Sequence, residues 1–180
     1  MNQRDHVRRL ASRLKESPDE KADAAVAILI RPNSADVEFF LVKRAEAQSD
    51  PWSGDMAFPG GKKCPQDSGL SETAVREVLE ETGIDLHEEK PLGYMDPLFS
   101  WVKRTFSVQP VVYLYDGDPP VTLNYELTKS MWVPMGELRR SRAQALVKGF
   151  DSPIYKAGGE VVWGLTYRML EKLLEMMNEG

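Results

Sequence analysis

The chain has 180 residues, enough for one domain with a sizeable core and cramped for two. Its composition is globular, 42% hydrophobic and 28% charged, and acidic residues outnumber basic ones 28 to 23; a net charge of −5 argues against nucleic-acid binding, which needs a basic face. Cys64 is the one cysteine, no apolar run approaches the roughly 20 residues of a membrane span, and MNQRDHVRRL lacks the apolar core of a secretory signal, so we expect a soluble, cytoplasmic protein with no intramolecular disulfide and no membrane partner.

Residues 3–16 carry Val7, Leu10 and Leu14 at helical spacing, and the polar ESPDEKAD follows as a linker. This segment, 1–23, precedes a domain over 24–180. AAVAILI (24–30) and VEFFLVKR (37–44) read as strands joined by a turn at NSAD. A long Gly/Pro-rich loop comes next, with one short strand at 56–58; long structured loops in small domains are usually functional. The spacing predicts a helix over 71–82 with Val75, Val78, Leu79 and Thr82 inward, stopped by Gly83 with Ile84 packed behind it. Further strands are expected near 92–98, 104–116, 129–135 and 159–164, a short helix at GELRRS, and a last helix over 165–177 with Leu165, Met169, Leu173 and Met177 on one face. The mixture predicts an α/β fold with helices on a central mixed sheet. His6 and His87 have no partner pattern and read as surface, and Cys64 as an inert thiol.

REVLEETGI (76–84) works against its own helix. Glu77, Glu80 and Glu81 crowd like charges at i, i+3 and i+4, and they sit in last turns where carboxylates oppose the helix dipole at roughly 0.3–1 kcal/mol each. A hard divalent cation reverses both penalties, since Mg²⁺ takes oxygen ligands and bridges to phosphates. Arg76 can pair with Glu80 and Glu72 and hold the cluster. Glycines in PGGKK let backbone approach a ligand.

Gly61–Ile84 resembles the Nudix box: Gly, five residues, Glu, seven residues, then Arg-Glu-U-x-Glu-Glu-x-Gly-U, with U apolar. Arg76, Glu77, Val78, Glu80, Glu81, Gly83 and Ile84 match; Asp67 replaces the box Glu, and the interval after it is one residue longer. FLVKRA and GDMAFPGG are similar to the extra motif of the coenzyme A pyrophosphatase branch. Arg44, Ala45, Gly54, Phe58, Pro59, Gly60 and Gly61 match, Phe40 and Val42 replace Leu and Thr, and Asp50 stands where that motif has its second Arg.

The resemblance implies a Nudix-type α/β/α sandwich that hydrolyses a pyrophosphate bond in a nucleoside diphosphate derivative, with Mg²⁺ or Mn²⁺. Coenzyme A or its thioesters lead as substrate, with ADP-ribose, NADH or a dinucleoside polyphosphate as alternatives. A non-catalytic binding module is a further reading, weakened by the intact box glutamates. The resemblance assigns Glu77, Glu81 and Glu80 as metal ligands with the Gly61 carbonyl, Glu80, Glu77 and Arg76 to catalysis, and Arg44, Lys62 and Phe58 to substrate. Glu126 is the candidate for an additional acid outside the box. A homodimer is compatible with it: the N-terminal helix could serve that interface or cap the monomer.

Overall fold

β1 (Ala24–Pro32) is apolar along almost its whole length because both its faces are covered, as expected of a central strand. A computed structural model of the chain describes residues 2–178. In it Ala25, Ala27 and Leu29 face one core, and Ala24, Ile28 and Ile30 face another. This period of two divides the molecule into layers.

β1 pairs antiparallel with β2 (Val37–Arg44) across the expected turn, where Asn33 Oδ1 accepts from the Ala35 and Asp36 amides. β2 carries β3 (Met56–Ala57) on one side. The other side of β1 pairs parallel with the later strand β7 (Ser107–Leu114), from Ala24↔Val108 to Ile30↔Leu114. β4 (Gly60–Lys62), which the sequence did not announce, pairs with β1. The strand expected near 92–98 is two short ones, β5 (Gly93–Tyr94) and β6 (Leu98–Phe99), both on β7. β8 (Leu127–Pro134) pairs with β2 and completes a mixed sheet.

α1 (Gln3–Arg13) ends earlier than expected, capped at Asn2 by an Asp5 amide and released at Leu14, after which Lys15 bridges to Tyr94. α2 (Leu70–Thr82) covers one sheet face through Leu70, Ala74 and Val78. Leu79, expected inside, is exposed, and Ala74 and Leu70 take its place. α4 (Gly164–Met177) and α1 cover the other face. His6 is buried, not on the surface, with Nδ1 2.9 Å from the Met177 carbonyl oxygen; Arg13 donates to the Glu175 and Met176 carbonyls. α3 (Met135–Ser141) is the GELRRS helix. A small second sheet of β9 (Ala143–Val147), β10 (Phe150–Ala157) and β11 (Glu160–Val162) follows, of which only the last was expected. No helix among the described residues is long and apolar enough to cross a membrane.

Candidate active site

The two ends of α2 are fixed from outside the helix. Gly69 offers no side-chain cap, and the Glu20 carboxylate accepts the Leu70 amide instead, an anion at the positive end of the helix dipole. At the other end Gly83 adopts φ +73° and donates to Leu79 O, a left-handed stop, and Ile84 is buried behind it. Residues 122–126 dock on this end: Thr122 and Asn124 amides satisfy the Thr82 and Glu81 carbonyls.

Between these anchors α2 lies against the Gly60–Gly61 turn. The carboxylate of Glu77 packs on Gly61 so closely that a Cβ there would stand 2.4 Å from Glu77 Oε1. Glu81 is buried, with Oε2 3.0 Å from the Gly60 amide as its hydrogen-bond donor. Burial is the main reason its pKa is pushed up to about 8; the Gly60 hydrogen bond pulls the other way, Glu77 and Glu126 add to the rise, and the Arg44 charge opposes it. Glu77 is also raised, again first by burial, with Arg76 opposing.

Glu80 differs from its neighbours. Its side chain is 56% exposed and meets Arg76 at 3.4 Å. The expectation of three glutamates gathered at one point therefore resolves into two at the turn and one at the rim. Among the described residues no three His, Cys, Asp or Glu side chains already form a metal-holding group.

The backbone oxygen at this turn also shifts by one residue. Pro59 O accepts from Ala27 and the Lys63 amide donates to Asp23 O, so odd positions of this ladder face β1. By antiparallel alternation the Gly61 carbonyl, at the Ala25 position, also turns towards β1, and Gly60 faces α2. The Gly61 carbonyl, expected at the metal, is thus directed at β1, and Gly60 presents its backbone on the α2 side.

Arg76 holds the acidic face, though not through Glu72 as expected. It bonds Asp67 with two arms of 2.9 Å, Glu77 at 2.9 Å and the Lys62 carbonyl at 3.1 Å. Glu72 instead accepts the Ser68 amide. Asp67, at the box-Glu position, also accepts from the Cys64 amide and Thr73 Oγ1, and the Arg76 guanidinium holds its carboxyl well below the usual range. Asp67 is thus a strut between loop and helix.

Arg44 is tied to Asp50, Nη2 to Oδ2 at 2.7 Å and Nε to Oδ2 at 3.0 Å. Glu126 is exposed on the segment docked at the end of α2, its carbonyl accepting the Ala45 amide, and its charge acts on both Glu77 and Glu81. Phe58 is buried in the core and forms part of the wall of the cavity described next. Lys62 stays exposed beside the turn, while Lys63 is drawn to Glu20.

A cavity of about 240 Å³ opens next to the turn. Trp52, Trp101, Phe106 and Trp163 wall it, with Trp52 and Phe106 rings 5.9 Å apart. Trp101, Phe106 and Trp163 were not singled out in the sequence. Arg44, Asp55 and Lys62 are the charged residues of its lining, and Gly60 and Gly61 connect it to the turn on which Glu77 and Glu81 converge.

The NUDIX domain family profile matches residues 20–156. The chain belongs to the Nudix family. It is a Nudix hydrolase, an enzyme acting on phosphorus anhydrides, and such hydrolases generally work with a divalent cation. Two observations here fit one: a carboxylate seated where glycine alone leaves room, and a second carboxylate buried against the Gly60 amide.

Among the similar proteins, the Nudix hydrolase NudL of Yersinia enterocolitica, uncharacterized, is 33% identical over 87% of this chain and 81% of its own. The human mitochondrial coenzyme A diphosphatase NUDT8 is 31% identical over 71% of this chain and 57% of its own. Of solved structures, the MutT protein of Methanosarcina mazei Go1 superposes with a TM-score of 0.59 at 24% identity, covering 87% of this chain and 94% of that one. It shares the fold: a mixed central sheet between helices.

Proposed function

We propose that this Nudix hydrolase cleaves the pyrophosphate of coenzyme A or its thioesters, using Glu77 and Glu81 with the Gly60 carbonyl to hold Mg²⁺ or Mn²⁺. The observation that carries the metal assignment is the convergence of Glu77 and Glu81 on the Gly60–Gly61 turn. The substrate assignment is supported by the likeness to the human coenzyme A diphosphatase and by the motif around Arg44.

A divalent cation held by Glu77, Glu81 and the Gly60 carbonyl would supply charge neutralisation on phosphate oxygens and lower the pKa of water. The chain's own groups do the rest. Glu80, exposed at the rim beside Arg76, would accept the proton of an attacking water. Arg76 keeps Glu77 in place by bonding both it and Asp67. Arg44 and Lys62 hold the phosphates, and Glu126 adds an acid at the far side. Positioning and charge neutralisation are what phosphoryl transfer mainly requires.

A second substrate reading, ADP-ribose, NADH or a dinucleoside polyphosphate, is favoured by Asp50. It stands where the coenzyme A motif has Arg, and it occupies Arg44. The test is a product assay with Mg²⁺ or Mn²⁺ over coenzyme A, ADP-ribose, NADH and a dinucleoside polyphosphate, with Glu81→Gln as control. Coenzyme A split to 4′-phosphopantetheine and 3′,5′-ADP, and lost in the variant, is the expected result. Cleavage of another compound replaces the substrate and keeps the site; cleavage of none overturns both.

A further inference from the structure

β9 and β10 are joined by Lys148 and Gly149, with φ +48° and +86°. Two central residues with positive φ make a type I′ hairpin, whose first position favours Asn, Asp or Gly. Lysine is a poor choice there, and among the described residues Lys148 is the only non-glycine with positive φ. The local rule is broken, so the reason lies in what the side chain does.

Lys148 Nζ reaches across to the Gly/Pro-rich loop. It donates to Ser53 O at 2.9 Å and Pro51 O at 3.3 Å, and pairs with Asp55 Oδ1 at 2.9 Å. The same Asp55 oxygen accepts from Trp163 Nε1 at 2.9 Å, and the Lys148 ammonium lies 5.8 Å from the Trp163 ring. Three segments distant in sequence meet at one carboxylate. Pro51, Trp52, Asp55 and Trp163 are all walls of the cavity beside the Gly60–Gly61 turn.

We propose that Lys148 is a positioning residue for substrate binding, a latch from the small second sheet that fixes the 47–55 loop and so sets the width of this cavity. It touches no reacting group; it acts through Pro51, Trp52 and the Asp55–Trp163 bond. The inference deepens the reading of the cavity as the substrate site and rests on it. A latch of this kind acts on binding and leaves turnover of bound substrate alone, because the carboxylates sit on α2, which Lys148 does not contact.

The test uses Lys148→Asn, which suits the turn and removes the ammonium, and Lys148→Arg, which keeps a cation. Acrylamide quenching of tryptophan fluorescence reads the walls directly, since Trp52 and Trp163 become more accessible when the loop is released. Steady-state kinetics follow with coenzyme A and with ADP-ribose in Mg²⁺. In Lys148→Asn, quenching rises, the melting temperature holds or increases, and KM for the cleaved substrate rises about five-fold or more with kcat within about two-fold; Lys148→Arg restores most of both. Unchanged quenching, unchanged KM, or a fall in kcat at constant KM overturns the proposal. If neither compound is cleaved, the substrate reading fails and the quenching alone decides the latch.

Discussion

Asp67 and Arg76 form a two-armed pair, Oδ1 to Nε and Oδ2 to Nη2 both at 2.9 Å, that straps the Gly-rich loop to the glutamate helix. Asp67 is buried and Arg76 is 26% exposed, so the bond is largely shielded from water. Asp67→Asn breaks the charge and one arm. It should lower stability by about 1–3 kcal/mol near pH 7, read by thermal or denaturant unfolding. The sign with pH follows from the depressed carboxyl. Its contribution is full above the ordinary value of 3.8 and is lost as the pH falls below it, so wild type and variant should converge in acid.

Glu81 carries the opposite sign. Its pKa, raised from 4.5 to about 8, means that the cation-free fold prefers it neutral. The folded protein then loses stability as the pH climbs from about 4.5 to 8. Glu81→Gln should remove that loss, melting higher than wild type at pH 9 without divalent ions. The same variant, and Glu77→Gln, should lower kcat by about 100-fold or more with the fold intact. Near-normal turnover in both would end the assignment of these carboxylates.

Cation binding requires the ionised carboxylate, so it should expel the proton held by Glu81. Calorimetric titration of the protein with MgCl₂ at pH 7 in two buffers of different ionisation enthalpy should show proton release. At pH 9 the release should vanish and the affinity be higher.

Neighbouring glycines separate stability from activity. A Cβ on Gly60 would lie 2.2 Å from the Ala25 carbonyl oxygen, against backbone that cannot yield, whereas one on Gly61 would meet the Glu77 carboxylate. Gly60→Ala should therefore destabilise the fold, and Gly61→Ala should keep the melting temperature close to wild type while reducing kcat. Paired unfolding and kinetic measurements distinguish them.

Asp50 neutralises Arg44 in the free enzyme; burial works to raise the Asp50 carboxyl, but Arg44, the Trp52 amide and the Lys148 charge together hold it below its ordinary range. Asp50→Asn should free the guanidinium for a phosphate and lower KM for an anionic substrate several-fold, about 1 kcal/mol in binding. An unchanged KM would show that Arg44 serves the loop alone.

The layers were legible because β1, β2 and α2 bury faces whose periods are written in side chains. Gly83 announced its own left-handed stop. Glu81 was harder to place: spacing grouped it with Glu77 and Glu80 in a cluster of like charges, yet it is buried like Val78, because the glycine turn of β4 packs against it. His6 was lost for the same reason, its partner being the carbonyl of Met177. The β9–β10 hairpin left almost no trace, since Lys148 replaces the usual turn residue and Leu146 and Phe150 point outward. Box residues named the acids, but the oxygen at the turn came from strand phase, which pattern cannot give.

The parallel register of β1 with β7 sets the order in which this protein can assemble. The α2 helix is local and can form early, but Ala24 finds Val108 only after a long loop has closed, an entropic cost that slows such pairings. The 122–126 segment follows β7, so the end of α2 that carries Glu81 is closed off late. A refolding chain should recover helical signal before it recovers any capacity to hold a divalent ion.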